Sequence, residues 1–314
     1  MTVFGIIAAV LLDGLLGEPR HWHPLVGFGR LAQWLEQRLN PDALSGSGAK
    51  APARGYFGGV MALLMAVMPP VLTLWALDRY TRIASLLAIG ILYLVIGHRS
   101  LHEHALAVER ALRSGDLEEA RRRVAAMVSR DTHDMDASRV AAATIESLLE
   151  NGNDALFGAL FWFVLAGAPG ALTYRLVNTL DAMWGYRTSR YREFGWAAAR
   201  LDDVLNLIPA RLTALGYAVV GRLGVALRCW RLQAPSWDSP NAGPVMAAGA
   251  GALGVRLGGG AFYHGCWRER SALGEGRAAG VEDIERARRL ILRALLLWVT
   301  AVTLAAWLHG WIDA

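Results

Sequence analysis

Residues 57–77, 83–97 and 290–312 are so continuously apolar that a water-soluble fold has no way to bury them, and this restricts the chain to a membrane architecture. The first two stretches are joined by the polar turn Asp78-Arg79-Tyr80-Thr81-Arg82, which predicts a helical hairpin, with Pro69-Pro70 expected to kink its first arm. In the third, Arg293 can snorkel near one end, and Trp298, Trp307 and Trp311 can anchor at an interface. Residues 3–16 are apolar except for Asp13, without a basic leader or a small-residue cleavage site, and read as a short retained membrane helix. Together these four segments set the minimum number of membrane helices.

Two further segments are less regular. Residues 155–180 are divided by Gly167-Ala168-Pro169-Gly170 and are expected to cross as a broken helix or to re-enter. Residues 210–227 are apolar but carry Arg211 and Arg222, each costing about 2.5–3.5 kcal/mol at mid-membrane, so they are read as crossing or interfacial. With 54% hydrophobic and 19% charged residues and a mean hydropathy of +0.30, the 314-residue chain is expected to form one integral domain over residues 1–314. The predicted class is all-α and polytopic, with at least four membrane helices, broken or interfacial helices and helical cytoplasmic loops; the polar loops expected to carry the chemistry are about 17–56, 98–154, 181–203 and 228–289, the side of 181–200 being left open by the sequence.

Segments 17–56, 98–154 and 228–289 carry five, eight and nine Arg or Lys, against two in the turn 78–82. The positive-inside rule therefore places the three on the cytoplasmic side of the cell (inner) membrane, with both termini outside. Two cysteines, Cys229 and Cys266, define no disulfide framework. The pI of about 9.5 invites a nucleic-acid reading, but the arginines sit beside carboxylates and form no basic tail, so no nucleic-acid partner is expected. Lys50 is the only lysine and is followed by no Ser or Thr, which removes the phosphate-binding loop G-x-x-x-x-G-K-[ST]; arginine must hold any phosphate.

The densest polar run, 129–154, contains Arg130, Asp131, Glu146, Glu150 and Asp154. Glu146 and Glu150 share a helix face, where like charges repel unless a cation or an arginine intervenes. Hard oxygen ligands of this kind suit Mg2+ bound with substrate phosphates; the plain alternative is a solvated helix face. A second run, 178–203, holds Asn178, Arg187, Arg190, Arg192, Asp202 and Asp203, a set able to fork onto phosphate or carboxylate and more elaborate than a membrane anchor requires. A third contains Asn241 and the literal G-x-G-x-x-G at 249–254; with no preceding strand it reads as close helix packing or a substrate loop rather than a dinucleotide site. His23 lies in a proline-framed loop, and His98, His102 and His104 lack a closing metal motif. Nothing alternates with period two, so strands are not required.

Taken in order, Asp13, Gly17-Glu18-Pro19-Arg20, His23-Pro24, Arg130-Asp131-Thr132, Glu146-Ser147, Glu150-Asn151, Asp154, Asn178-Thr179-Leu180-Asp181-Ala182-Met183, Arg190-Tyr191, Phe194-Gly195-Trp196-Ala197, Arg200-Leu201-Asp202-Asp203 and Ser239-Pro240-Asn241-Ala242-Gly243 resemble the CbiB/CobD family of cobalamin biosynthesis, the adenosylcobinamide-phosphate synthases, over nearly the whole chain. Mild departures stand at Glu18, Leu25 and Ala155. The resemblance implies a carbon–nitrogen ligase: ATP-dependent amide formation between a carboxylate of the corrinoid adenosylcobyric acid and aminopropanol or its O-phosphate, with Mg2+. Residue type then assigns Arg130, Asp131, Glu146 and His23 to catalysis, His23 or a carboxylate taking the amine proton. Arg187, Arg190, Arg192, Asn178 and Asn241 fall to phosphate and substrate binding, and Asp131, Glu146, Glu150, Asp154, Asp202 and Asp203 to the metal. Other late-pathway membrane enzymes are the expected protein partners. A transporter would need polar groups lining a mid-membrane path, and a membrane sensor would not need carboxylate and arginine sets together.

Overall fold

The computed structural model describes residues 2–19, 23–40, 52–80, 83–263 and 265–312. Arg20 of the first motif, Lys50, and Thr81 and Arg82 of the hairpin turn lie outside them. In chain order the described helices are α1 (Thr2–Leu16), α2 (Pro24–Leu39), α3 (Pro52–Tyr80), α4 (Ala84–Val95), α5 (His98–Arg113), α6 (Leu117–Ala125), α7 (Ala137–Gly152), α8 (Gly158–Trp184), α9 (Trp196–Val220), α10 (Leu223–Gln233), α11 (Ala242–Leu253) and α12 (Val281–Ile312). A π-helical turn, Asn153–Phe157, joins α7 to α8.

Among the described residues, five helical runs are long and apolar enough to cross a membrane: Ala53–Tyr80, Ala84–Arg113, Ala137–Trp184, Trp196–Val220 and Val281–Leu308. Only 28% of the apolar window in the first is buried within the protein. Phe57, Leu64, Met68, Leu72 and Trp75 point outward, as they must where lipid is the solvent. The protein is thus an all-α, multi-pass membrane protein. Its α1, at 15 residues, is shorter than the usual span of about 20.

The irregular segments resolve in different ways. Helix α3 runs through Pro69-Pro70 without interruption. Helix α8 is broken as the sequence predicts: Gly167 adopts φ 64°, ψ −157°, a conformation open to glycine, and Pro169 follows in the next turn. Residues 210–227 do not form one segment, because α9 ends at Val220 and α10 restarts after Arg222.

The chain divides into two compact units, each assembled from separated stretches. Hydropathy does not show which helices share a core. In residues 1–97 and 158–206, Phe28, Leu35, Leu63, Val67, Leu176, Leu180, Trp184 and Phe194 form a common core. In residues 98–157 and 207–314, α11 is buried along its whole length; Gly249 leaves room for the Leu149 side chain and Gly251 for the backbone at Ala226. The G-x-G-x-x-G is therefore a helix-packing surface, not a substrate loop.

The second unit also contains strands that the sequence does not announce: β1 (Val255–Gly258), β2 (Ala261–Tyr263), β3 (Cys266–Arg268), β4 (Ala272–Leu273) and β5 (Arg277–Ala278). Strand β1 pairs antiparallel with β4 and parallel with β5, while β2 and β3 form a hairpin. At two to four residues each, they are too short to display an alternating pattern.

Candidate functional site

Helix α7 starts at an Asp136 N-cap, whose carboxylate accepts from Arg139 N at 2.8 Å, and carries Glu146 and Glu150 one turn apart. The Glu146 side chain is 3% exposed and is surrounded by donors. One oxygen pairs with Arg130, and the other accepts from Gly258 N at 2.9 Å. Arg270 stands 3.7 Å away on the Arg130 side. A buried carboxylate needs such compensation, and here it orients two guanidinium groups.

Two cavities share the Arg130–Glu146 wall. The larger, about 280 Å³, is lined by Asp131, the glycine run 258–260, Phe262 and Trp267. The smaller, about 220 Å³, is lined by Ser147, Glu150, Asn151, Tyr263 and Arg270. Gly258 and Gly259 adopt φ 74° and 85°, so the wall of the larger cavity is backbone that other residues would strain. Asp131 anchors the loop that carries Arg130: its N–H donates to Phe262 O at 2.9 Å and its Oδ2 accepts from Gly265 N at 2.8 Å.

The same unit places the other predicted residues of run 129–154. Asp154 lies in the π turn, where Oδ1 accepts from Asn153 Nδ2 at 2.9 Å, while Thr213 Oγ1 donates to Asn153 Oδ1. Asn241 is buried and accepts from Arg211 Nη1 at 2.6 Å, a bond that offsets part of the cost of placing Arg211 in an apolar helix. His98 and His102 stack edge to face with centroids 4.3 Å apart, and His102 Nδ1 accepts from Arg288 Nε at 3.3 Å.

The remaining predicted residues belong to the first unit. Asp202 accepts from Asn178 Nδ2 at 3.2 Å and from Asn206 Nδ2 at 3.1 Å; Tyr174 in turn donates to Asn206 Oδ1. Asp203 lies 3.6 Å from Arg200 and within the field of Arg187. Arg190 forks onto buried Glu36 through bonds of 2.8 and 2.9 Å, and Asn40 Nδ2 donates to its carbonyl. The arginine trio thus separates: Arg190 straps its loop to α2, whereas Arg187 and Arg192 are exposed.

His23 is the N-cap of α2, with Nδ1 accepting from Leu25 N at 3.2 Å. Burial holds its imidazole below the ordinary 6.5; Glu18 opposes this and Arg175 adds to it. The neutral ring that accepts at Nδ1 carries its proton on Nε2, so it donates there and is not poised to receive a proton. The unfolded chain binds more protons between the folded and ordinary values, so the stability contribution is complete above about pH 6.5 and declines as pH falls toward the folded value. An imidazole titration by NMR should give a midpoint below 6.5. Replacing His23 by Ala is expected to lower stability by about 1 kcal/mol and replacing it by Asn, a good cap, by little; equal stability losses in the two variants would refute the capping role.

Sequence reasoning missed Arg270, Tyr263, Trp237 and the Gly258 N–H. Arg270 sits in the charged run Arg268-Glu269-Arg270, which looks like a solvated turn. The Glu146 and Glu150 pair on one helix face, whose charges repel unless a cation or an arginine intervenes, is the sequence sign that a further donor is required. Among the described residues, no three His, Cys, Asp or Glu side chains converge as a metal shell. Glu146 has its oxygens occupied by N–H donors, so the metal role assigned to it from residue type does not fit. Asp131, on the cavity wall, fits a Mg2+ that takes one protein carboxylate and completes its shell with phosphate and water.

The fold and site define an all-α, multi-pass membrane protein in which a buried glutamate, flanked by two arginines, lies on the wall between two cavities. The CobD/Cbib protein family matches residues 6–291. The chain is 56% identical to the cobalamin biosynthesis protein CobD of Chromobacterium violaceum over 306 residues, 98% of this chain and 97% of that one. It is 56% identical to the CobD of Stutzerimonas stutzeri over 312 residues, 99% and 100% of the two chains, and 40% identical to that of Geobacter metallireducens over 272 residues, 83% and 82%. The chain belongs to the CobD/CbiB family of cobalamin-biosynthesis proteins. No solved structure matches it.

Proposed function

We propose that the protein is an adenosylcobinamide-phosphate synthase, an enzyme that joins aminopropanol or its O-phosphate to a carboxylate of adenosylcobyric acid at the expense of ATP. The observation that carries this reading is the Arg130–Glu146 pair shared by two cavities, with Arg270 beside it in the smaller one, in a chain of this family. Amide formation from a carboxylate needs an activated acyl group. A corrinoid carboxylate oxygen attacks the terminal phosphorus of ATP, forming a P–O bond while the bond to ADP breaks. The amine nitrogen then attacks the acyl carbon, the C–N bond forms, phosphate leaves, and the nitrogen releases its proton to a carboxylate.

Arg130, fixed by Glu146, is suited to bind the phosphoryl oxygens whose charge develops during transfer, and the backbone of 258–260 lets a phosphate chain approach closely. Asp131 would hold a Mg2+ ion, which when bound would supply further charge neutralisation on the phosphates. Glu150, which lines the smaller cavity, is the carboxylate proposed to accept the amine proton, a role that the capping tautomer of His23 does not suit. Within the first unit, the exposed Arg187 and Arg192, with Asn178, are proposed as anion-binding residues, whereas Arg190 acts by positioning there and Asn241 does so in the second unit. The arginine excess of 98–154 and 228–289, which hold the cluster, supports a cytoplasmic site at the inner membrane. Co-purification with other late-pathway membrane enzymes would support a shared assembly.

Purified protein given adenosylcobyric acid, ATP, Mg2+ and either amine should yield a corrinoid amide detectable by mass spectrometry; absence of product from well-folded protein would overturn the assignment. Replacing Asp131 by Ala is expected to reduce turnover by about 10²-fold, the usual scale for losing one preorganised electrostatic contact. Near-normal turnover in this variant would exclude Asp131 from the site.

A further inference from the structure

We propose that Arg270 is the specificity-determining anion-binding residue of the smaller cavity, holding the phosphate of a small zwitterionic amine while Glu150 faces the ammonium end. This rests on the amide-forming reading above and assigns it a residue.

Three independent contacts fix the Arg270 guanidinium. Nη1 donates to Tyr263 Oη at 2.8 Å, the carbon lies 4.2 Å from the centre of the Trp237 ring, and Glu146 is 3.7 Å away. Its side chain is only 20% exposed. A guanidinium held against an aromatic face with its hydroxyl partner in place has already lost most of its rotamer freedom, so little more is lost when an anion binds. Arg130 makes the close contact to Glu146, and Arg270 makes only the longer one. The glutamate therefore neutralises the first arginine and leaves positive charge at the second.

Further along α7, Glu150 lines the same cavity one turn beyond Glu146, roughly 5–6 Å away by helix geometry. A cavity of about 220 Å³ with a cationic wall and an anionic one complements a small molecule carrying both charges. An amino alcohol without its phosphate offers only the ammonium and leaves Arg270 desolvated and unanswered, which is the arrangement that discriminates most strongly between related ligands.

The test compares wild-type protein in detergent with Arg270→Met and, as a conservative control, Arg270→Lys. With aminopropanol O-phosphate as the varied substrate, Arg270→Met is expected to raise KM about 10–100-fold, the scale of one lost charge-assisted hydrogen-bond pair, with a smaller change in kcat. The KM for free aminopropanol should fall, because the unanswered guanidinium that disfavours it is gone, and Arg270→Lys should restore part of the preference. A purely structural role would shift both amines alike or lower kcat alone, and either result overturns the proposal. Calorimetric titration with O-phosphoethanolamine, in the absence of ATP and corrinoid, separates the two readings. Binding that weakens in Arg270→Met supports the anion site even if no amide forms, and equal binding in wild type and variant refutes it.

Discussion

Replacing Glu146 by Ala is expected to abolish turnover and to cost the fold about 3–5 kcal/mol, the range for removing one partner of a buried ion pair. The carboxylate is 3% exposed, and its loss would leave Arg130, itself 10% exposed, and Arg270 facing each other without compensation, together with an unsatisfied Gly258 N–H. Glu146→Gln should be milder, because its carbonyl oxygen can still accept from Gly258 while its amide points a donor at arginine. Stability and chemistry separate in the double variant Arg130→Met with Glu146→Leu. Exchanging a buried pair for apolar side chains of similar volume is often neutral for stability, so thermal unfolding should recover toward wild type while activity does not. Recovery of activity in the double variant would show that the cluster is structural only.

The second large effect lies in the core of the first unit. A Cβ on Gly59 would collide with the carbonyl oxygen of Phe194, and one on Gly58 with that of Leu39. In both cases the obstacle is backbone, which cannot swing away as a side chain can. Gly59→Ala is expected to destabilise by about 3 kcal/mol, the upper part of the overpacking range. It would also displace the segment carrying Arg190 and Arg192, because Phe194 packs with Trp184 beneath that loop. Gly27→Ala is the control: nothing lies within 4 Å of its Cβ, and reduced chain entropy in the unfolded state should make it neutral or stabilising by up to about 1 kcal/mol. Equal melting temperatures for Gly59→Ala and Gly27→Ala would refute the close-approach argument.

The pairing of Arg190 with Glu36 illustrates how residue type misleads at a site. Three arginines in six positions look equivalent in sequence, yet one meets a buried glutamate 154 positions away and becomes a strap. Glu146 is the converse. Its position on a helix face with Glu150 was legible, as was the need for an intervening arginine, but the identity of the second arginine was not. Arg270 is 124 positions further along, in a turn between two-to-four-residue strands that carry no periodicity of their own.

Periodicity and hydropathy by themselves determined that the chain is helical, that it crosses a membrane several times, that α8 breaks at Gly167, and that its charged residues concentrate in the segments between spans. These are local properties, set by side-chain transfer energies and backbone conformation within a few residues. The order and type of its motifs also carried the family. Only the tertiary structure decided which helices share a core, that 249–254 is a packing surface, that His23 caps a helix, and that Arg130 and Arg270 converge on one buried carboxylate. Each of those outcomes depends on groups distant in sequence meeting where water is excluded. There a charge must find its partner or destabilise the fold, and no local pattern records which partner it finds.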